Sequence, residues 1–230
     1  MHKINVQKYL IDVFTTNNIT KVGNNVSITP EGIASGFSND SYLTSIPQEA
    51  TEGSSYEWNF RFKIGSSQAG GDILAGYSSF NTDAQYHGET HKRYMQLTAT
   101  LSGGVRFTMH RDTGWRVGAL PTDIVNGATN TAILANNWYT AKIVYNNNNT
   151  SWQFFVTDDN GSFVEYSVTT GARGSETGIA MVTTSGQRIG ESEHTGYQGS
   201  KTYTYFDGSI DLYNSYILKD GEDWWTNKDI

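Results

Sequence analysis

A chain of 230 residues with 6 Trp, 14 Tyr and 10 Phe can build one large aromatic core, and its 24 Gly with only 17% charged residues suit short strands and tight turns. The net charge of −7, without any window rich in Lys and Arg, disfavours nucleic-acid binding by counterion release, and the lack of cysteine removes disulfides and thiolate metal sites. No long apolar run exists to span a membrane as a helix, and residues 1–10 lack the apolar stretch of a signal peptide.

Residues 1–27 read as an Asn- and Thr-rich lead with one apolar burst, Tyr9–Phe14, expected to be an extra edge strand or an attachment arm. Residues 28–230 read as a single β-sandwich without an internal repeat or second domain. Tyr56–Ile64 alternates aromatic and polar residues with period two, which predicts a strand with one buried face. Asp72–Tyr77 follows a Gly-Gly turn, and Tyr94–Leu101 with Val105–His110 flank Ser102-Gly103-Gly104 as a hairpin. Trp138–Tyr145 and Ser151–Val156 surround the Asn146–Asn149 loop, and Asp159-Asn160-Gly161 turns into Phe163–Val168. Asp220-Gly221 predicts the last hairpin turn. About a dozen short strands at this spacing predict an all-β, two-sheet antiparallel sandwich.

Residue chemistry narrows the function less than the fold. Retaining glycoside hydrolysis needs two carboxylates about 5 Å apart, and no Glu-x-Asp-x-x-Glu run occurs. Glu191-Ser192-Glu193 sits among Gly, Ser and Thr as a loop would, so a chain without enzymatic activity is expected. Thr157–Phe163 approaches an Asp-box turn but lacks the Thr before the aromatic. His87-Gly88-Glu89-Thr90-His91 could place three ligands on one extended face, or simply be a solvated loop. Trp58, Trp138, Trp152 and Trp224-Trp225 lie inside strand patterns and are expected mostly in the core.

Three polar-aromatic segments, 86–94, 110–116 and 190–205, hold four of the five histidines. A sugar site needs an aromatic face for the C–H surface of a pyranose and forked polar groups for its hydroxyls. Trp115 as platform, with Tyr86, His91, His110, Arg111, Arg116, His194, Tyr197 and Tyr203 around it, is the expected glycan site if the segments converge.

Two end motifs carry a family resemblance. Phe206-Asp207-Gly208-Ser209-Ile210-Asp211-Leu212 through Tyr216-Ile217 and Gly221 to Trp224-Trp225 resembles the closing strand of concanavalin-A-like (laminin-G-like) jelly rolls. Within that group it is most similar to modules of bacteriophage virion and tail-associated proteins. Gly32-Ile33-Ala34-Ser35-Gly36-Phe37-Ser38 through Tyr42-Leu43 resembles the opening of the same modules. The resemblance implies a jelly-roll sandwich that adheres to host or surface glycans on a head or tail, made without a signal peptide and carried on the virion. It also implies other virion proteins as partners and a homo-oligomer such as a trimer. A carbohydrate-binding module of a secreted polysaccharide-degrading enzyme, or a purely structural virion brick, are the alternatives. Calcium is the cofactor that relatives of this fold bind, and Asp72, Asp83 and Asp207 are its candidate ligands here, none of them spaced as a calcium loop.

Overall fold

A computed structural model describes residues 19–45, 54–65, 71–78, 92–101, 104–110, 123–128, 133–146, 151–160, 164–166, 169–170, 187–195 and 201–223. Its strands begin with β1 (Ile19–Val22), β2 (Ser27–Ile28), β3 (Ile33–Ser35), β4 (Tyr42–Ser45), β5 (Tyr56–Ile64) and β6 (Gly71–Ser78). β7 (Lys92–Thr100), β8 (Gly104–His110), β9 (Asp123–Ala128), β10 (Trp138–Asn146), β11 (Ser151–Asp158) and β12 (Val164–Tyr166) follow. The chain continues through β13 (Thr169–Thr170), β14 (Gln187–Ile189), β15 (Glu191–Thr195), β16 (Lys201–Tyr205), β17 (Gly208–Lys219) and β18 (Glu222–Asp223). The expected strands recur within a few residues, and β5 has the predicted bounds.

The chain is an all-β, two-sheet antiparallel jelly roll. Sheet A runs β1-β4-β14-β6-β7-β8-β9-β13, and sheet B runs β12-β11-β10-β5-β17-β3-β2, with β18 hairpinned onto β17. β15 and β16 form a separate two-stranded hairpin. β1, from the Asn-rich lead, is the edge strand of sheet A and pairs with β4. Residues 1–18, including the Tyr9–Phe14 burst, lie outside the described residues.

Strand register explains why each sheet has one dry face. Leu43, Ile189, Leu74, Leu97 and Phe107 stand opposite one another across β4, β14, β6, β7 and β8, and all are buried. Phe154, Ile143, Trp58 and Ile217 make the matching row across sheet B. Side chains alternate along a strand, so one apolar row per sheet suffices to bring the two sheets face to face. Phe107 joins the rows, its ring 6.4 Å from Trp58 and 6.3 Å from Phe154. Burying such aromatic side chains is worth about 2–3 kcal/mol each.

One glycine fixes how the sheets connect, and a second closes the last hairpin of sheet B. Gly190 has φ +79°, and a Cβ there would strike the Phe37 ring. Its N–H donates to Ile73 O and its carbonyl accepts from Phe206 N, both at 2.9 Å. The chain thus kinks from sheet A into the β15–β16 hairpin and returns through Phe206 into sheet B. The second, the Asp220-Gly221 turn, has both residues at positive φ, 52° and 86°, as a two-residue hairpin of this kind demands.

Candidate functional site

The outward face of sheet A is polar where β4, β7, β8 and β14 alternate. Tyr42, Thr44, Arg188, Gln96, Thr98 and Arg106 sit at the positions between the apolar ones, half-buried or exposed. Register carries Thr44, Arg188 and Gln96 across the sheet in one row, and Asp72, Thr98 and Arg106 in the next.

Two wholly buried carboxylates organise this face. Asp72 accepts from Gln96 Nε2 at 2.7 Å and Thr98 Oγ1 at 2.6 Å on one oxygen, and from Ser192 Oγ on the other. Glu191 accepts from Arg188 Nη1 at 2.8 Å, and that guanidinium lies 4.7 Å over the Tyr42 ring. A buried charge persists only when partnered in this way. The result is a set of polar side chains whose orientations are fixed before any ligand arrives. Ser192 also ties the β15–β16 hairpin to sheet A.

Several sequence expectations change here. Glu191-Ser192-Glu193 is not a loop but the start of β15, with Glu191 and Ser192 buried. The loop-like composition had hidden a strand whose first two residues, Glu191 and Ser192, point into an internal hydrogen-bond network. Asp72 does not fit a calcium ligand, since both its oxygens are taken by protein donors. Asp207 is half-buried and its carbonyl receives Gly65 N at 3.2 Å. Among the described residues no three His, Asp or Glu gather as a metal site. Asp83 lies outside the described residues.

Of the expected glycan residues, His110 ends β8 opposite Asp123 of β9, within sheet A. His194 stands opposite Thr202, and Tyr203 opposite Glu193, in the hairpin that packs on β6. These three therefore belong to sheet A and the hairpin docked on it. Tyr86, His91, Arg111, Trp115, Arg116 and Tyr197 lie outside the described residues, as does the His87–His91 segment.

The outward face of sheet B carries residues that the sequence did not single out. Trp138 is half-buried, outside the core rather than in it, because it begins β10 on the phase opposite Tyr139 and Ala141. The Arg61 guanidinium lies 4.4 Å and the Lys63 ammonium 5.0 Å from its ring centre. Arg61 also bridges two carboxylates, Asp211 Oδ2 at 2.6 Å and Asp159 Oδ2 at 2.5 Å. Burial opposes the Arg61 charge, but its bonds to Asp159 and then Asp211 outweigh that and raise its pKa. The strand phase of Trp138 was the available signal, since Arg61 and Lys63 share the polar phase of β5.

β17 interrupts its pairing with β5 in this region. Asp211 opposes Arg61 but Tyr216 opposes Asn59, so β17 carries an extended bulge over Leu212–Ser215. Ser215 Oγ closes it, donating to Asp211 O at 2.6 Å and accepting from Arg61 N at 3.0 Å. The bulge turns Tyr213 and Asn214 outward.

No protein-family model matches the chain, and no curated protein matches it. Among solved structures it is similar to arcelin-5, a lectin-like defence protein from Phaseolus vulgaris, at 13% identity over 85% of this chain and 92% of that one (TM-score 0.44). It is also similar to alginate lyase vAL-1 from Chlorella virus, at 11% identity over 88% and 95% (TM-score 0.47). An endo-β-1,4-glucuronan lyase from the fungus Trichoderma reesei is similar at 13% identity over 86% and 88% (TM-score 0.42). The expectation of a chain without enzymatic activity is corrected by these likenesses, because two of the three are polysaccharide lyases and one is lectin-like. Lacking the paired acids of one hydrolase class does not exclude catalysis of another kind.

Proposed function

We propose that the chain is a carbohydrate-facing sandwich that binds a surface glycan or polysaccharide on the outward face of sheet A. The observation that carries this reading is the pair of buried carboxylates, Asp72 and Glu191, holding Gln96, Thr98 and Arg188 in fixed orientations. Sugar hydroxyls are read by preset donors and acceptors, and groups locked in advance spend less entropy on binding. Tyr42, stacked under Arg188, supplies an aromatic surface at one end of the row.

The resemblance of the two end motifs to phage virion modules supports a particle-borne setting. Many copies on one particle would turn a weak single site into useful adhesion, since linked sites raise avidity by about 10²–10⁴.

The test is a glycan array probed with the labelled chain, alone and clustered on beads, followed by Gln96→Ala and Arg188→Ala variants. Saturable binding that glycan oxidation abolishes and both variants weaken supports the reading. No binding by the clustered chain, or binding indifferent to both variants, overturns it. Incubating each bound polysaccharide with the chain and following its length shows whether binding leads to cleavage. Co-sedimentation of the chain with intact particles tests the virion setting.

A further inference from the structure

The outward face of sheet B contains an aromatic ring that is both exposed and immobilised. Tyr213 lies on the β17 bulge and remains 40% exposed. The other side of its ring rests on Gly32, where a Cβ would stand 2.6, 2.8 and 2.9 Å from ring carbons Cδ2, Cγ and Cε2. Only glycine permits that approach, and Gly32 also has φ +77°. The Tyr213 hydroxyl donates to Pro30 O at 3.2 Å, so the ring is held at its far end as well.

The turn beneath the ring is built to stay in place. Gly32 N donates to Thr29 O at 2.9 Å, Thr29 N to Ile33 O at 3.0 Å, and Leu212 N to Gly32 O at 2.9 Å. An immobile aromatic surface has already lost the rotamer freedom that stacking a ligand would otherwise cost.

The groups beside the ring are acceptors. Glu31 is exposed, and its carboxyl is kept below the usual range by the Thr29 side chain and then by a backbone hydrogen bond. Its charge reaches Tyr213, whose phenol is pushed up by burial and then by Glu31. Asn214 gives its backbone N–H to Asp211 Oδ1 at 3.1 Å and its Nδ2 to Asp211 Oδ2 at 2.8 Å, which leaves its Oδ1 turned away from that carboxylate.

From this geometry we infer that Tyr213 is the stacking platform of a second sugar subsite, selective for neutral pyranosides, with Glu31 and Asn214 accepting their hydroxyls. The C–H face of a pyranose covers one flat ring, whereas a quaternary ammonium needs several rings to enclose it. A carboxylate beside the platform accepts from hydroxyls and repels uronates or sulfated sugars. This subsite lies on the opposite sheet from the sheet A face and does not depend on that reading.

The experiment titrates the whole chain with neutral hexopyranose oligomers, matched hexuronate oligomers and choline, following ligand saturation-transfer NMR. Wild type, Tyr213→Ala, Tyr213→Phe, Glu31→Gln and Gln96→Ala are compared. The expected result is binding of neutral oligomers in the millimolar range, weakened about tenfold by Tyr213→Ala and nearly kept by Tyr213→Phe. Glu31→Gln, at a fully exposed position, should weaken neutral binding by about threefold without changing the melting temperature. It should also narrow the gap between neutral and acidic oligomers. The loss caused by Tyr213→Ala should be the same in the Gln96→Ala background as in wild type, which separates the subsite from the sheet A face. Undiminished binding by Tyr213→Ala, preference for hexuronates or choline, or no neutral binding at all would overturn the inference.

Discussion

Tyr216 donates its phenolic hydrogen to Glu57 Oε1 at 2.7 Å across the β17–β5 pairing, and Lys142 Nζ meets the same oxygen at 2.8 Å. The three side chains form a diagonal set on the polar face of sheet B, where cross-strand pairs supply much of a sheet's specificity.

Burial, then the hydrogen bond and charge of Glu57, push the Tyr216 phenol up to about 12 from its ordinary value of 10.0. The fold therefore favours the neutral phenol. Its contribution to stability is fully present below about pH 10 and is lost as pH rises towards 12. A tyrosinate absorbance titration of Tyr216→Phe should lack a late-ionising group that wild type has, and Glu57→Gln should move that group to lower pH.

Arg61 neutralises Asp211, whose side chain is only 5% exposed. Arg61→Ala would leave that carboxylate with Asn214 and no cation, a loss of about 2 kcal/mol. Arg61→Lys should recover only part, because one ammonium cannot reproduce a planar fork reaching Asp211 and Asp159 together. Urea midpoints for the two variants should fall in that order. An Arg61→Lys midpoint equal to that of wild type would mean that the forked geometry contributes nothing.

Gly190→Ala combines a left-handed backbone with a collision against Phe37. The expected destabilisation is about 3 kcal/mol or more. Phe37→Leu in the same background should relieve the collision but not the backbone strain, so the double variant should be less damaged than the two effects added. Thermal melts of the two single variants and the double variant measure this coupling.

Asp72→Ala removes the acceptor shared by Gln96, Thr98 and Ser192 and should cost about 3 kcal/mol. Asp72→Asn should cost less, since its carbonyl still accepts from Gln96 and Thr98 while the Ser192 hydroxyl can turn to accept. Denaturant unfolding ranks the two. Limited proteolysis should show residues 191–205 cut first in Asp72→Ala, because Ser192 ties that hairpin to sheet A.

The architecture was legible where strand period and burial coincide. Tyr56–Ile64 announces β5 because its polar and aromatic residues alternate, and Asp220-Gly221 announces a hairpin because its dihedrals favour those residues. Polar strands were not legible in the same way. Glu191-Ser192-Glu193 has loop composition, and only its pairing with β16 and the contact of Ser192 with Asp72, distant in sequence, make a strand of it. Trp138 reads as core by residue type, and the phase that turns it outward is set by pairing with β5. Tyr213 drew no attention either, since its platform depends on Gly32, in a turn met far earlier in the chain. Of the histidines that did stand out, His110 lies on sheet A and His194, with Tyr203, on its hairpin, while His87 and His91 lie outside the described residues.

The place of β17 in sheet B has a consequence for how the protein is made. This strand lies between β5 and β3, yet it is synthesised long after both. Until it arrives, the β12-β11-β10-β5 ribbon and the β3-β2 pair have no hydrogen-bonded link among the described residues, and β5 presents a long open edge. Completion of the sheet must therefore wait for β17, closing sequence distances of about 150 residues in one step. A chain that stopped short of Gly208 would be a different object, with the edge of β5 bare and ready to pair with another copy of itself.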